Sequence, residues 1–316
     1  MKNNSILRKV KIKIIVLGAS GMLGHKVFEI LSKYDEYDVY GTVTSISSFR
    51  NCLPKQFNNH IVKNIYANKI ETVEVLIKKA KPNVVINCIG IIKQNKDSKD
   101  YINSITINTL FPHLVANLCE KYNSRFITIA TDCVFDGTKG DYKDSDLPTC
   151  HDVYGMTKYL GEVKDKENSL TLRTSIIGHE LDSSISLLDW FLSQDNVVKG
   201  YKKAIFSGFT TLEFAKLLAE KIIPNKKLFG LYQISVDPIS KYKLLKIITD
   251  IYKKNIRITI DDEVKINRSL NSDILRKIIN YKPPKWQDLV FEMYNNFLVS
   301  DFYKNKRKNY EKTNKF

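Results

Sequence analysis

A doubly wound parallel α/β sheet with a smaller C-terminal lobe follows from three features of the chain. A β-branched strand runs straight into a glycine-rich turn, short apolar strands alternate with amphipathic helices up to about residue 176, and irregular helical stretches take over beyond it. The first strand, 12–17, is followed by Gly18-Ala-Ser-Gly21-Met-Leu-Gly24 and a helix whose apolar positions include Val27, Ile30 and Leu31. A second strand is predicted over 39–43, a helix around 73–79, a strand over 84–88, a helix over 108–122 and strands over 126–130 and 170–175. The turns at Gly18, Ile89 and Thr131 should therefore open on one crevice, at the carboxyl ends of parallel strands. Residues 1–176 form the sheet domain in this reading, with a segment near 230–250 returning to it through a strand at 231–236. Residues 177–316 form mainly the lobe, with helices over 187–193, 212–221, 241–252 and 272–278, a break at Pro283-Pro284 and a basic tail, 301–316.

Composition narrows the function classes. Lys and Arg number 50 against 34 Asp and Glu, a net charge of +16, while 43% of residues are hydrophobic, which excludes a disordered or collagen-like chain. The lysines are spread along the whole chain with no basic stripe interleaved with aromatics, so no nucleic-acid partner is expected; a positive field does favour encounter with an anionic small substrate. The tail lysines and arginine (Lys304, Lys306, Arg307, Lys308, Lys312, Lys315) read as a solvated terminus. Apolar runs are far shorter than the ~20 residues that span a bilayer, and the basic N-terminus has no apolar core, so neither membrane insertion nor secretion is expected. Five scattered cysteines without a C-x-x-C pair point to reduced thiols in the cytoplasm, and no histidine has ligand-spaced company for a metal.

The glycine turn carries the cofactor reading. Three glycines at two-residue gaps, strand before and helix after, let the backbone approach a pyrophosphate whose charge meets the helix N-terminus. Gly18, Ser20, Gly21, Met22, Leu23 and Gly24 are the residues assigned to it. An acid at the end of the second strand would hold the ribose of NAD, but that end reads Tyr40-Gly-Thr42-Val-Thr-Ser45. Thr42 and the downstream Arg50 suit a 2′-phosphate, which favours NADPH and leaves NADH possible.

Tyr154 and Lys158 stand four apart, on one face of a helix. An ammonium beside a phenol stabilises the phenolate, so Tyr154 can protonate the alkoxide formed when hydride reaches a carbonyl carbon. Thr131, at the carboxyl end of its strand, supplies a hydroxyl to hold the carbonyl oxygen.

With these residues in place the chain resembles the dTDP-4-dehydrorhamnose reductase family of extended short-chain dehydrogenases, a family of Rossmann-type folds. Gly18–Gly24, Asn87-Cys-Ile-Gly90, Asn108-Thr-Leu-Phe-Pro112, Thr131-Asp-Cys-Val-Phe-Asp-Gly137, Tyr154-Gly-Met-Thr-Lys158 and Leu172-Arg-Thr-Ser175 follow one another as they do there, and the similarity runs from about residue 12 to 290. The resemblance implies NAD(P)H-dependent reduction of the 4-keto group of a nucleotide-linked 6-deoxysugar, in surface polysaccharide synthesis, with Thr131, Tyr154 and Lys158 as the triad. It also implies that Cys88, Ile89 and Gly90 border the cofactor and that Asn108 supports the site. Asp132 and Cys133 fall near the sugar, and Cys133 departs from the aromatic residue usual there, which leaves dTDP- and UDP-linked sugars open. Arg173 and His179 are further candidates for the sugar pocket. Arg268, and more weakly Lys241, are candidates for the nucleotide phosphates, which a guanidinium grips bidentately. Alternatives are a UDP-linked N-acetyl-sugar 4-reductase or epimerase, and a non-catalytic NADP(H)-binding regulatory subunit; a homodimer is a possible assembly.

Overall fold

Residue 12 opens a strand whose side chains alternate between two buried faces, and the layers of the molecule follow from that alternation. The computed structural model describes residues 10–46, 49–92 and 100–312. Ile14 and Val16 join the core that holds Val27, Phe28 and Leu31, while Ile15 and Leu17 join a second core with Val73, Ile77, Val115 and Phe126. In chain order the elements are β1 (Ile12–Leu17), α1 (Met22–Leu31), β2 (Tyr37–Thr42), β3 (Ile61–Val62), α2 (Ile70–Ala80), β4 (Val84–Asn87), α3 (Tyr101–Ser104), α4 (Phe111–Lys121), β5 (Arg125–Thr131), α5 (Val153–Leu160) and β6 (Ser169–Thr174). The lobe and its returns follow: β7 (Ile176–Ile177), α6 (Leu187–Ser193), β8 (Val197–Tyr201), β9 (Ala204–Phe206), β10 (Phe209–Thr210), α7 (Thr211–Leu217), β11 (Gly230–Gln233), β12 (Ile239–Ser240), α8 (Lys241–Tyr252), β13 (Arg257–Asp261), β14 (Ile266–Asn267), α9 (Asp273–Ile278), α10 (Trp286–Val299) and α11 (Lys304–Lys312).

One seven-stranded sheet runs β11-β6-β5-β4-β1-β2-β3 with every pairing parallel. This is the Rossmann-type α/β arrangement that the sequence predicts. The strand order reverses between β1 and β4, which opens the ligand crevice beyond their carboxyl ends. The predicted return at 231–236 is β11, paired with β6 from Gly230↔Leu170 to Gln233↔Arg173. Three small sheets, β10-β7, β12-β9-β14 and β13-β8, lie within residues 176–267, and their apolar residues share one core with the face of the large sheet that α1 covers.

Two expectations give way. The helix predicted over 108–122 begins at Tyr101, because the Asp100 carboxylate accepts from Asn103 N at 3.0 Å and caps it, and it passes through a π-helical turn, Ile105–Leu110, before α4. The tail expected to be solvated instead folds back on the protein. Phe302, Tyr303 and Tyr310 are buried, and Lys306 Nζ donates to Asp189 Oδ2 at 2.6 Å, an ion pair that draws the basic segment inward. Lys315 lies outside the described residues.

Candidate active site

At the end of β1 the backbone turns at Gly18 with φ +82°, where an added Cβ would come 2.8 Å from Ile89 Cγ1. Gly24 brings α1 against the turn so closely that a Cβ there would stand 2.0 Å from Gly18 O. Gly21 is the N-cap of α1 and provides no side-chain cap, so the first-turn N–H groups face an outside acceptor. Ser20 is exposed beside it, and Met22 and Leu23 are half-buried. Thr42 is buried, and its Oγ1 accepts from Gly18 N at 3.2 Å. Its hydroxyl oxygen thereby helps to shape the turn. Arg50 is exposed in the loop after β2, its N–H donating to Ile46 O at 2.7 Å.

Across the crevice, β4 ends at Asn87, whose Oδ1 accepts from Ile89 N at 3.0 Å and so bends the chain at Cys88 and Ile89 towards Gly18. Asn108, from the π-helical turn, accepts from Ile91 N at 2.9 Å and donates from Nδ2 to Ile91 O at 3.2 Å and to Thr157 Oγ1 at 3.4 Å. One buried amide thus fixes the loop after β4 to α5. Gly90 lies between them: a Cβ would meet Asn108 Oδ1 at 3.3 Å and Lys158 Nζ at 3.8 Å.

The wall opposite is built by β5 and α5. Thr131 Oγ1 donates to Asp132 Oδ1 at 3.2 Å and accepts from Cys133 N at 3.1 Å, which holds the hydroxyl at the carboxyl end of β5 near Tyr154. Asp152 caps α5 by accepting from Gly155 N at 3.0 Å. Gly155 lets the helix approach, since a Cβ there would stand 2.5 Å from Cys133 O; Gly161 does the same against Asn108 O at 1.9 Å. Lys158 Nζ donates to Ile129 O at 2.8 Å.

The electrostatics differ from the expectation. Burial pushes the Tyr154 phenol well above its ordinary range, reinforced by Cys133 and Asp132 and opposed by the Thr131 hydrogen bond. Burial lowers Lys158 to about 8, against the attraction of Glu162 and Cys88. The ammonium sits on a carbonyl and desolvation dominates at the phenol, so Tyr154 is held protonated instead of being drawn towards phenolate. A half-buried protonated phenol is a proton donor, and that is what this wall can do.

Asp132 is buried, which raises its carboxyl, while Arg268 and Lys241 act to lower it. Arg268 Nε is fixed by donating to Phe135 O at 2.7 Å. Cys133 is half-buried next to Thr131, and burial pushes the Cys88 thiol up to about 12, a poor nucleophile. Two candidates for the sugar pocket are corrected. Arg173, 2% exposed, forms a fork with Glu162 (Nε to Oε1 at 2.5 Å, Nη2 to Oε2 at 2.8 Å). His179, 1% exposed, bonds Asp189 Oδ1 through Nδ1 at 2.8 Å and Tyr252 Oη through Nε2 at 2.9 Å. Both are core pairs, because a buried charge or imidazole is stable only with its partners.

Comparison with known proteins now bears on this geometry. The family described as the RmlD substrate binding domain matches residues 12–187, more than half of the chain. The chain belongs to this family. A relative of this RmlD-type chain, the dTDP-4-dehydrorhamnose reductase of Aggregatibacter actinomycetemcomitans, is 25% identical over 301 residues, covering 87% of the chain and 96% of that protein. The beta subunit of methionine adenosyltransferase 2 from Mus musculus is 26% identical over 178 residues, and the chain spans 48% of its length. Among solved structures, dTDP-4-dehydrorhamnose reductase from Bacillus anthracis in complex with NADP superposes with a TM-score of 0.73 at 18% identity, covering 91% of this chain and 100% of that one. The Bordetella bronchiseptica enzyme WbmG with NAD and UDP gives 0.73 at 15%, covering 93% and 97%. The two structures show a shared fold.

Several residues that shape this RmlD-type site escaped the sequence reading as individual contributors. Thr157 and Ile129 O hold Asn108 and Lys158, and Glu162 anchors Arg173 next to the lysine's end of α5. Only Asn87 gave a signal, an amide ending an otherwise apolar strand.

Proposed function

We propose that this chain is an NADPH-dependent reductase acting on the 4-keto group of a nucleotide-linked 6-deoxysugar. The observation that carries the proposal is the placing of Thr131, Tyr154 and Lys158 on one half-buried wall, with Lys158 beside Gly90 in the loop that abuts the Gly18 turn. The relative named dTDP-4-dehydrorhamnose reductase, matched over nearly its whole length, supports it.

The residues fit a dinucleotide, since Gly18 turns the chain tightly at positive φ, Gly24 lets α1 pack directly on that turn, and the α1 N-terminus has no side-chain cap. Gly18 to Gly24 would hold the pyrophosphate, Cys88, Ile89 and Gly90 the nicotinamide side, and Lys158 the ribose hydroxyls. Arg50, after a strand end without an acid, suits the 2′-phosphate of NADPH, with NADH the lesser ligand. When bound, NADPH supplies hydride to the carbonyl carbon. Thr131 orients the carbonyl oxygen, and Tyr154, kept protonated by burial, delivers the proton to O4, so the ketone gains one hydride and one proton and becomes an alcohol. Arg268 and Lys241 beside Asp132 offer the diphosphate a positive end. Cys133 is small enough to admit either a dTDP- or a UDP-linked sugar. A homodimer is the assembly proposed, and surface polysaccharide synthesis in the cytoplasm the setting.

The similarity to the methionine adenosyltransferase subunit supports one other reading, a dinucleotide-binding regulatory subunit. Incubation with NADPH and a panel of dTDP- and UDP-linked 4-ketosugars separates the two. Loss of NADPH absorbance with one of them is expected; tight binding of NADPH without oxidation by any would favour the regulatory reading.

A further inference from the structure

Residues 300–312 bridge two segments that lie far apart in sequence. On one side, Asn305 Nδ2 donates to Asn51 O at 2.7 Å. Phe302 is stacked on Phe57 with ring centroids 5.7 Å apart, and Phe49 lies 6.2 Å away. Phe49 and Asn51 flank Arg50, whose own side chain is exposed, so the backbone of 49–57 is what the fold can fix there. On the other side, Lys306 Nζ donates to Asp189 Oδ2 at 2.6 Å and to Glu180 O at 2.7 Å, gripping the segment that leads into α6. Between the two grips, the Tyr303 hydroxyl meets His25 Nε2 at 2.7 Å, on α1 one turn beyond the Gly21 cap. Cys52 Sγ, 3.1 Å from Asp182 Oδ1, joins the two segments directly as well.

We propose that residues 300–312 are a strap that positions the loop 49–57, and with it Arg50, for the phosphate at the adenosine end of the dinucleotide, while fixing residues 180–189 of the lobe. The identity of that ligand rests on the reductase reading; the strap itself does not. Asn305 and Lys306 are positioning residues, each holding one end.

The test uses the full chain and two variants, Asn305→Ala and Lys306→Met, whose side chains are exposed or half-buried, so that the fold survives. Hydrogen–deuterium exchange reports the loops, and titration with NADPH and NADH reports the ligand. Asn305→Ala is expected to speed exchange in 49–57 and weaken NADPH binding about three- to tenfold, the worth of one positioned hydrogen bond. NADH, which has no 2′-phosphate, should lose less. Lys306→Met should speed exchange in 180–189 and, through the strap, in 49–57. Unchanged exchange in 49–57 in both variants would overturn the strap, and equal losses for NADPH and NADH would overturn its action through Arg50. A wild-type chain that binds neither dinucleotide would instead break the reductase reading and end the cofactor half of the proposal, with exchange alone deciding whether the strap exists.

Discussion

Two regions of this protein bury the same kinds of ionisable side chain and treat them in opposite ways. Beneath α1, Lys26 pairs with Glu29 at 2.5 Å and donates to Asn296 Oδ1 at 2.6 Å, while Asp189 takes His179 and Lys306 together. Each charge there faces an opposite charge. In the wall of the crevice, Lys158 donates to a neutral carbonyl, and Tyr154 has Thr131 as the neighbour that opposes its desolvation. The difference separates buried charges that the chain itself pairs from half-buried site groups whose polar neighbours are neutral, as a site for an outside ligand would require.

The sharpest way to break that contrast is Tyr154→Phe. It should lower kcat by roughly 10²–10⁴-fold, the range for losing a positioned acid, and leave the urea midpoint within error of wild type. Normal turnover would show that the proton comes from elsewhere. Asp189→Ala should do the reverse, since it leaves the buried His179 and the half-buried Lys306 without their carboxylate. A loss of about 3–5 kcal/mol in urea unfolding is expected, the usual result of breaking a buried pair; a loss below about 1 kcal/mol would mean that the cluster is not structural.

A smaller effect concerns pH. Burial, followed by Lys26, lowers His25 to about 3 from an unfolded value of 6.5. The unfolded chain therefore binds a proton between those values that the folded chain refuses, and stability falls as pH drops below about 6.5, by at most ~1.4 kcal/mol per unit from this group. His25→Gln should flatten that part of a thermal-melting profile, and an unaltered slope would assign it to other groups. The crevice responds on the alkaline side. With Lys158 lowered to about 8, kcat/KM for NADPH should decline as pH rises through about 8, because the free enzyme loses the ammonium. Lys158→Met should remove that limb, and its persistence would tie the limb to another group.

What the sequence made legible is what local geometry demands. Gly18 needs positive φ and Gly24 has no room for a Cβ, so the turn could be read from glycine spacing alone. Tyr154 and Lys158 are one helical turn apart, so their shared face needed no tertiary knowledge. The rest depends on pairs distant in sequence. Arg173 and His179 looked like pocket residues because Glu162 and Asp189 give no sign in the sequence that they bind them. The tail looked solvated because its lysines outnumber Phe302, Tyr303 and Tyr310, whose burial depends on contacts with α1 and the loop after β2. The phenol's chemistry was misjudged for a similar reason: helical spacing gives the direction of Lys158 but not Ile129 O, which takes its proton donor.

The central claim is that this crevice moves a hydride to a sugar carbonyl while Tyr154 supplies the proton. Single-turnover reaction of a nucleotide-linked 4-ketosugar with NADPH carrying deuterium at both hydrogens of the nicotinamide C4 tests it most directly. Deuterium at C4 of the sugar, with the transfer lost in Tyr154→Phe although both ligands still bind, is the expected result. Deuterium retained in the dinucleotide while both ligands are bound to the wild-type protein would contradict it.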